Sequence, residues 1–172
     1  GWNREEMETH GAPWDRRWKV ARERMEAMQA IWTQDEASYN GEFVNFDRIQ
    51  SWPKPVQKPY PPIFIGGDAP GTFGRVQRYG DGWMPLLEAD GQGMDLKAAR
   101  MAELAALAKD AGRDPYPITT FGTPRDPAAI ATLAKNGVNR CIFGVKAAPA
   151  DDVLPRLDKI AHFAETMRGK LS

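Results

Sequence analysis

Short apolar runs alternate with amphipathic stretches of helical period along most of this chain, and that alternation predicts an α/β fold with a parallel sheet and helical cover. Three observations carry the prediction. Ile63, Phe64 and Ile65 form a continuous apolar run, as expected of a parallel strand buried on both faces. Gly66 and Gly67 stop that run, and Pro70 then fits the first turn of a helix. Gly80 ends the helix, and Asp81-Gly82 leads into Trp83, Met84 and Pro85, a second strand close behind the first.

The segment before this unit reads differently. Gly1 to Gly11 is polar, and its Glu6 and His10 are too few to hold a metal; the other histidine, His162, is far away in sequence. Asp15 is placed to cap a helix running to about Trp32, with Trp18, Ala21, Met25, Met28 and Trp32 on one face. That stripe is expected to be core, and Arg22, Glu23, Arg24 and Glu26 to be solvated. Ala37 to Phe46 reads as a hairpin in which Asn40-Gly41 is a two-residue turn. Trp52 to Pro62 holds five prolines in eleven residues. Pre-proline residues are pushed out of helix, so an extended connector is expected there rather than a ligand for an aromatic groove.

Behind the second strand, Leu86 to Gly93 is a loop whose place at a strand's carboxyl end suits a pocket rim or lid. A helix is expected from about Asp95 to Ala111, with Leu96, Met101, Leu104, Leu107 and Ala108 inward and Gly112 closing it. Ile118 to Phe121 is a strand, followed by a loop from Gly122 to Arg125. Asp126-Pro127 starts a helix to Asn136, stopped by Gly137. Arg140 to Val145 is the fourth strand, with Cys141 a core thiol. A last helix runs from near Asp151 to Met167 with Leu154, Leu157, Ala161 and Ala164 aligned.

Composition limits what such a chain does. At 172 residues with 42 % hydrophobic content it can bury one core and is read as a single domain, 1–172. Its 23 basic and 23 acidic residues cancel, so nothing points to nucleic acid or an anionic membrane surface as a partner. No apolar run approaches the ~18 residues that span a bilayer. A lone cysteine fits a reducing compartment, and a cytoplasmic location is expected.

Chemistry concentrates in the turn after the first strand. A helix start facing the strand's carboxyl end suits an anion such as a phosphate. A glycine pair alone would make only a tight turn, but Thr72 adds a hydroxyl and Arg75 a permanent cation within one turn of the helix start. Trp83, at the end of the second strand, stands either in a pocket wall or in the core. No nucleophile-base pair, paired carboxylates or zinc spacing stands out, so no catalytic residue is singled out and no metal is expected.

These residues resemble the bacterial-luciferase-like oxidoreductases, especially their coenzyme F-420-dependent subgroup. The marks are GWNREE at Gly1 to Glu6, YNGEFVNFD at Tyr39 to Asp47, PKPVQKPYPPIFIGG at Pro53 to Gly67, RYGDGWMP at Arg78 to Pro85 and AGRDP at Ala111 to Pro115. The resemblance implies a (β/α)8 TIM barrel of the luciferase-like type, of which this chain is the C-terminal half, lacking the front strands and the glycine-rich turn ahead of Gly1-Trp2. It implies coenzyme F-420 or FMN as cofactor, with Gly66, Gly67 and Thr72 gripping the cofactor phosphate. Arg75 and Trp83 are counted with them, as is Asp68. Relatives often carry Ser or Asn where this chain has Asp68-Ala69, and a carboxylate pointing inward there would repel phosphate.

The function so implied is an oxidoreductase or monooxygenase acting on a small organic substrate by hydride transfer or oxygen activation. The alternatives are another phosphate-binding barrel enzyme, for which Lys146 follows the fourth strand, or a non-catalytic fragment or interaction domain. Half a barrel leaves strand edges and an apolar face unpaired, so a homodimer or association with the missing half is expected, and the isolated chain is expected to be inactive.

Overall fold

The computed structural model describes residues 2–88 and 93–171. The chain divides into two compact units, Gly1–Ile63 and Phe64–Ser172.

The first unit holds a short helix α1 (Arg4–Thr9), a 3-10 turn (Trp14–Arg16), helix α2 (Arg17–Thr33) and an antiparallel pair, β1 (Ala37–Asn40) and β2 (Asn45–Ile49). The polar opening segment is helical because Asn3 caps it, its side chain accepting from the Glu6 N–H at 3.2 Å. His10 ends that helix with Nδ1 donating to the Glu6 carbonyl at 2.8 Å.

Helix α2 starts two residues after the expected Asp15 cap, and the face it buries is not the expected one. Val20, Glu23 and Ala27 are buried, whereas Trp18 is exposed. The expected core residues Ala21, Met25 and Met28 instead line, with Ile31, Val44 and Phe46, a groove of about 550 Å³. Glu23, at 2 % exposure, decides the rotation: its carboxylate accepts from the Phe43 N–H at 2.6 Å and the Val44 N–H at 3.2 Å. Those backbone bonds, Phe43 first, hold its carboxyl below the usual range despite burial.

The same anchorage corrects the hairpin. Asn40 pairs with Asn45, so the loop is the four residues between them, closed by Gly41 N–H donating to the Val44 carbonyl at 2.9 Å. A two-residue turn at Asn40-Gly41 would take Phe43 and Val44 into the ladder and leave the Glu23 carboxylate buried without donors. The proline-rich stretch forms neither helix nor strand, and Lys54 reaches from it to the end of α2, donating to the carbonyls of Ile31 at 2.7 Å and Gln34 at 2.5 Å.

The second unit is a four-stranded parallel sheet in sequential order: β3 (Phe64–Gly66), β4 (Gly82–Met84), β5 (Ile118–Phe121) and β6 (Val138–Ile142). Helices α3 (Thr72–Tyr79), α4 (Met94–Asp110) and α5 (Pro127–Lys135) connect the strands, and α6 (Ala150–Leu171) follows. The strand order is the expected one, but the sheet is open and no closed barrel is present among the described residues. Residues 89–92 of the expected rim loop lie outside the described residues.

The core lies on the helical side of this sheet, formed by Phe73, Val76, Trp83, Met101, Leu104, Ile118, Ile130 and Leu133 among others. Local signals hold where backbone chemistry decides. Asp126 caps α5, its carboxylate accepting from the Ala129 N–H at 2.8 Å, with Pro127 next and Gly137 at φ +83 beyond the end. Gly82 is required by packing: a Cβ there would lie 2.6 Å from the Phe64 ring and 2.6 Å from the Pro117 carbonyl.

Three expectations in this unit fail. Strand β6 begins two residues before Arg140, where Asn139 Oδ1 accepts from the Ile118 N–H at 2.9 Å and fixes the pairing. Leu96 of α4 is 68 % exposed, because the inward row runs through Lys97, Met101, Leu104 and Ala108. Leu154 and Leu157 of α6 are exposed as well, and Phe163 and Met167 face the core instead.

Candidate functional site

Parallel strands place their carboxyl ends, and the turns that follow, on one edge of the sheet. At the end of β3 the chain passes through Gly66 and Gly67, both exposed, and Gly67 takes φ +89, which a side chain would resist. A Cβ on Gly67 would meet nothing within 4 Å, and one on Gly66 only the Met84 carbonyl at 3.8 Å. The turn is therefore glycine for its backbone geometry at one position and open to close approach at both.

Helix α3 begins five residues beyond Gly67 and is not capped by any side chain. The Thr72 N–H donates to the Ala69 carbonyl at 2.8 Å, closing the turn. Thr72 itself is fully buried, and its hydroxyl accepts from Arg75 Nη2 at 3.0 Å. So the structure brings Thr72 and Arg75 together, with the threonine held beneath the helix start and the half-buried guanidinium bound to it.

Trp83 is fully buried and supports the turn from below. Its Nε1–H donates to the Gly67 carbonyl at 2.9 Å, and its ring meets Phe73 edge to face at 5.0 Å. A core residue thus fixes the backbone of the glycine turn. Asp68 is exposed and paired with Lys97 of α4, which neutralises its charge.

Two features of the edge were not read from the sequence. Lys97 and Arg100 come from the first turns of α4, the latter with its guanidinium 3.9 Å from the Phe73 ring centre. Leu86 and Phe121 are exposed apolar side chains linked in parallel register, with Leu87 N–H donating to the Phe121 carbonyl at 2.8 Å. Arg100 follows Lys97 by three residues on one helix face, a spacing visible in the sequence once the inward row is known. Among the described residues no three His, Cys, Asp or Glu side chains converge as for a metal, and no helix is long and apolar enough to cross a membrane.

An open glycine turn, an uncapped helix start and an arginine within its first turn define a site suited to a phosphate-bearing ligand. A family model described as luciferase-like monooxygenase matches residues 1–132, and the chain belongs to that family. An uncharacterised protein of Mycobacterium tuberculosis is 38 % identical over 166 residues, which cover 94 % of this chain and 56 % of that protein. An FMNH2-dependent dimethylsulfone monooxygenase of Pseudomonas putida is 37 % identical over 84 residues, 47 % of this chain and 23 % of that one. An F420-dependent hydroxymycolic acid dehydrogenase of Mycobacterium tuberculosis is 32 % identical over 96 residues, 55 % and 24 % of the two chains. The crystal structure of a monooxygenase from Streptomyces bottropensis superposes with a TM-score of 0.58 at 17 % identity, over 80 % of this chain and 46 % of that one, a likeness of fold. The chain spans about half the length of the mycobacterial relatives it matches over 166 residues.

Proposed function

We propose that the chain supplies the phosphate grip of a flavin- or deazaflavin-dependent oxidoreductase, with coenzyme F-420 or FMN as cofactor and a small organic molecule as substrate. The observation that carries this reading is the exposed Gly66-Gly67 turn ahead of an uncapped helix start, with Arg75 hydrogen-bonded to Thr72 inside the first turn. Relatives named for FMNH2 and for F420 support the same two cofactors.

The residues fit such a group. Backbone at Gly66 and Gly67 is open to a phosphate oxygen, Arg75 offers permanent positive charge, and the Trp83 indole N–H donates to the Gly67 carbonyl and so holds it turned toward the core. Exposed Leu86 and Phe121, at the carboxyl edge, offer apolar surface for a ring. When bound, the cofactor supplies the hydride transfer or oxygen activation. The chain's own residues bind and orient it. The four strands would form half of a (β/α)8 barrel, 1–172 being one domain of it, closed by a front half or a second copy.

Titration of the full-length protein with coenzyme F-420 and with FMN, followed by fluorescence, tests the reading. Saturable binding of at least one is expected, and failure to bind either removes it.

A further inference from the structure

Asp68 stands inside the turn proposed to hold the phosphate, where a lone carboxylate would repel it. It is not alone. Lys97 reaches across from α4 to form an ion pair with Asp68 Oδ2. The lysine side chain is 17 % exposed and the aspartate's 35 %, so solvent and salt screen this pair less than one standing free on a surface.

Lys97 also occupies a place that an apolar residue would ordinarily take, the head of the inward row that continues through Met101, Leu104 and Ala108. One turn further on, Arg100 covers the Phe73 ring at 3.9 Å. Its Nη1 donates to Glu103 at 2.5 Å, while Nε and Nη2 are buried without a hydrogen-bond partner. The start of α4 therefore brings two cations to the flank of the turn, one of them engaged by the only carboxylate within the turn itself.

We infer that Lys97 is a further cation of the phosphate grip, held in reserve by Asp68. In the anion-free protein the pair is neutral, and an arriving phosphate competes with the Asp68 carboxylate for the Lys97 ammonium. Asp68 thus weakens cofactor binding, and Lys97 strengthens it. This inference rests on the proposed function of the turn.

The test uses the full-length protein, its Asp68→Asn and Lys97→Met variants, and two ligand pairs: FMN with riboflavin, and coenzyme F-420 with its phosphate-free chromophore. The affinity ratio within a pair isolates the phosphate. Asp68→Asn is expected to raise that ratio by about two- to fivefold, the range of a partly exposed ion pair, and Lys97→Met to lower it by at least as much. Both changes should shrink as potassium chloride is raised. An unchanged or lowered ratio in Asp68→Asn, which keeps the side chain's shape, overturns the inference while leaving the cofactor reading intact. A parent protein that binds neither phosphate-bearing ligand better than its phosphate-free counterpart overturns both.

Discussion

Gly66→Ala separates binding from folding at a single atom. Gly66 does not take a positive φ, and a Cβ there would find only the Met84 carbonyl, at 3.8 Å, an ordinary van der Waals separation. The fold should accept the methyl. Restricting the unfolded chain should even stabilise the protein, by about 0.4–1 kcal/mol. A phosphate that approaches the backbone of the turn would meet that methyl, and losing one charge-assisted hydrogen bond costs about 1.5–3 kcal/mol, or roughly 10- to 150-fold in affinity. Stability and affinity are therefore expected to move in opposite directions. Thermal melts of the full-length apo-protein and titration with FMN and coenzyme F-420 measure both. Affinity unchanged within twofold, in a variant that melts at or above the parent temperature, would refute close approach of the ligand at Gly66.

The remaining predictions concern Arg75, Gly82 and Glu23. Arg75→Ala should weaken FMN and F-420 binding by about tenfold at low salt and by less at high salt, which calorimetry at two ionic strengths checks. Gly82→Ala should cost about 1–3 kcal/mol or more in denaturant unfolding, because its Cβ would press on the Phe64 ring and the Pro117 carbonyl at 2.6 Å each. Glu23→Gln should lower the melting temperature at neutral pH. The Glu23 carboxyl is depressed in the folded protein, so the stability it contributes is fully present above its ordinary value of 4.5 and lost as pH falls through the folded value. The gap between parent and variant should therefore close on acidification, and a gap that widens toward low pH would refute the assignment.

How much of this was legible in the sequence depended on whether a residue's role is local. Asp126, Pro127 and Gly137 mark α5 through backbone geometry alone, and the structure puts cap, first turn and left-handed stop where they indicate. The bounds of β5, the end of α3 at Gly80 and the glycine turn at Gly66-Gly67 were legible for the same reason. Family membership was carried by the motifs along residues 1–132.

Helix phase was legible only in part. In α2 and α4 the period is helical, but a charged residue takes an inward position because a partner across the fold satisfies it: Glu23 by the hairpin N–H groups and Lys97 by Asp68. Apolar period alone therefore rotates the face of α2, whereas in α4 it places Met101, Leu104, Leu107 and Ala108 correctly and errs only at the head of the row, where Lys97 rather than Leu96 lies inward. In α6, exposed Leu154 and Leu157 misled in the same way. For the site, the sequence indicated which residues cluster after β3, whereas the burial of Thr72 and the anchoring of the turn by Trp83 needed the packed structure.

Whether the turn after β3 grips a cofactor phosphate can be read from a crystal structure of the full-length protein with FMN or coenzyme F-420 bound. The phosphate should lie within about 3.2 Å of a backbone N–H between Gly66 and Gly74, with the Arg75 guanidinium beside it. A bound cofactor whose phosphate lies elsewhere, with the turn free of contact, would contradict it.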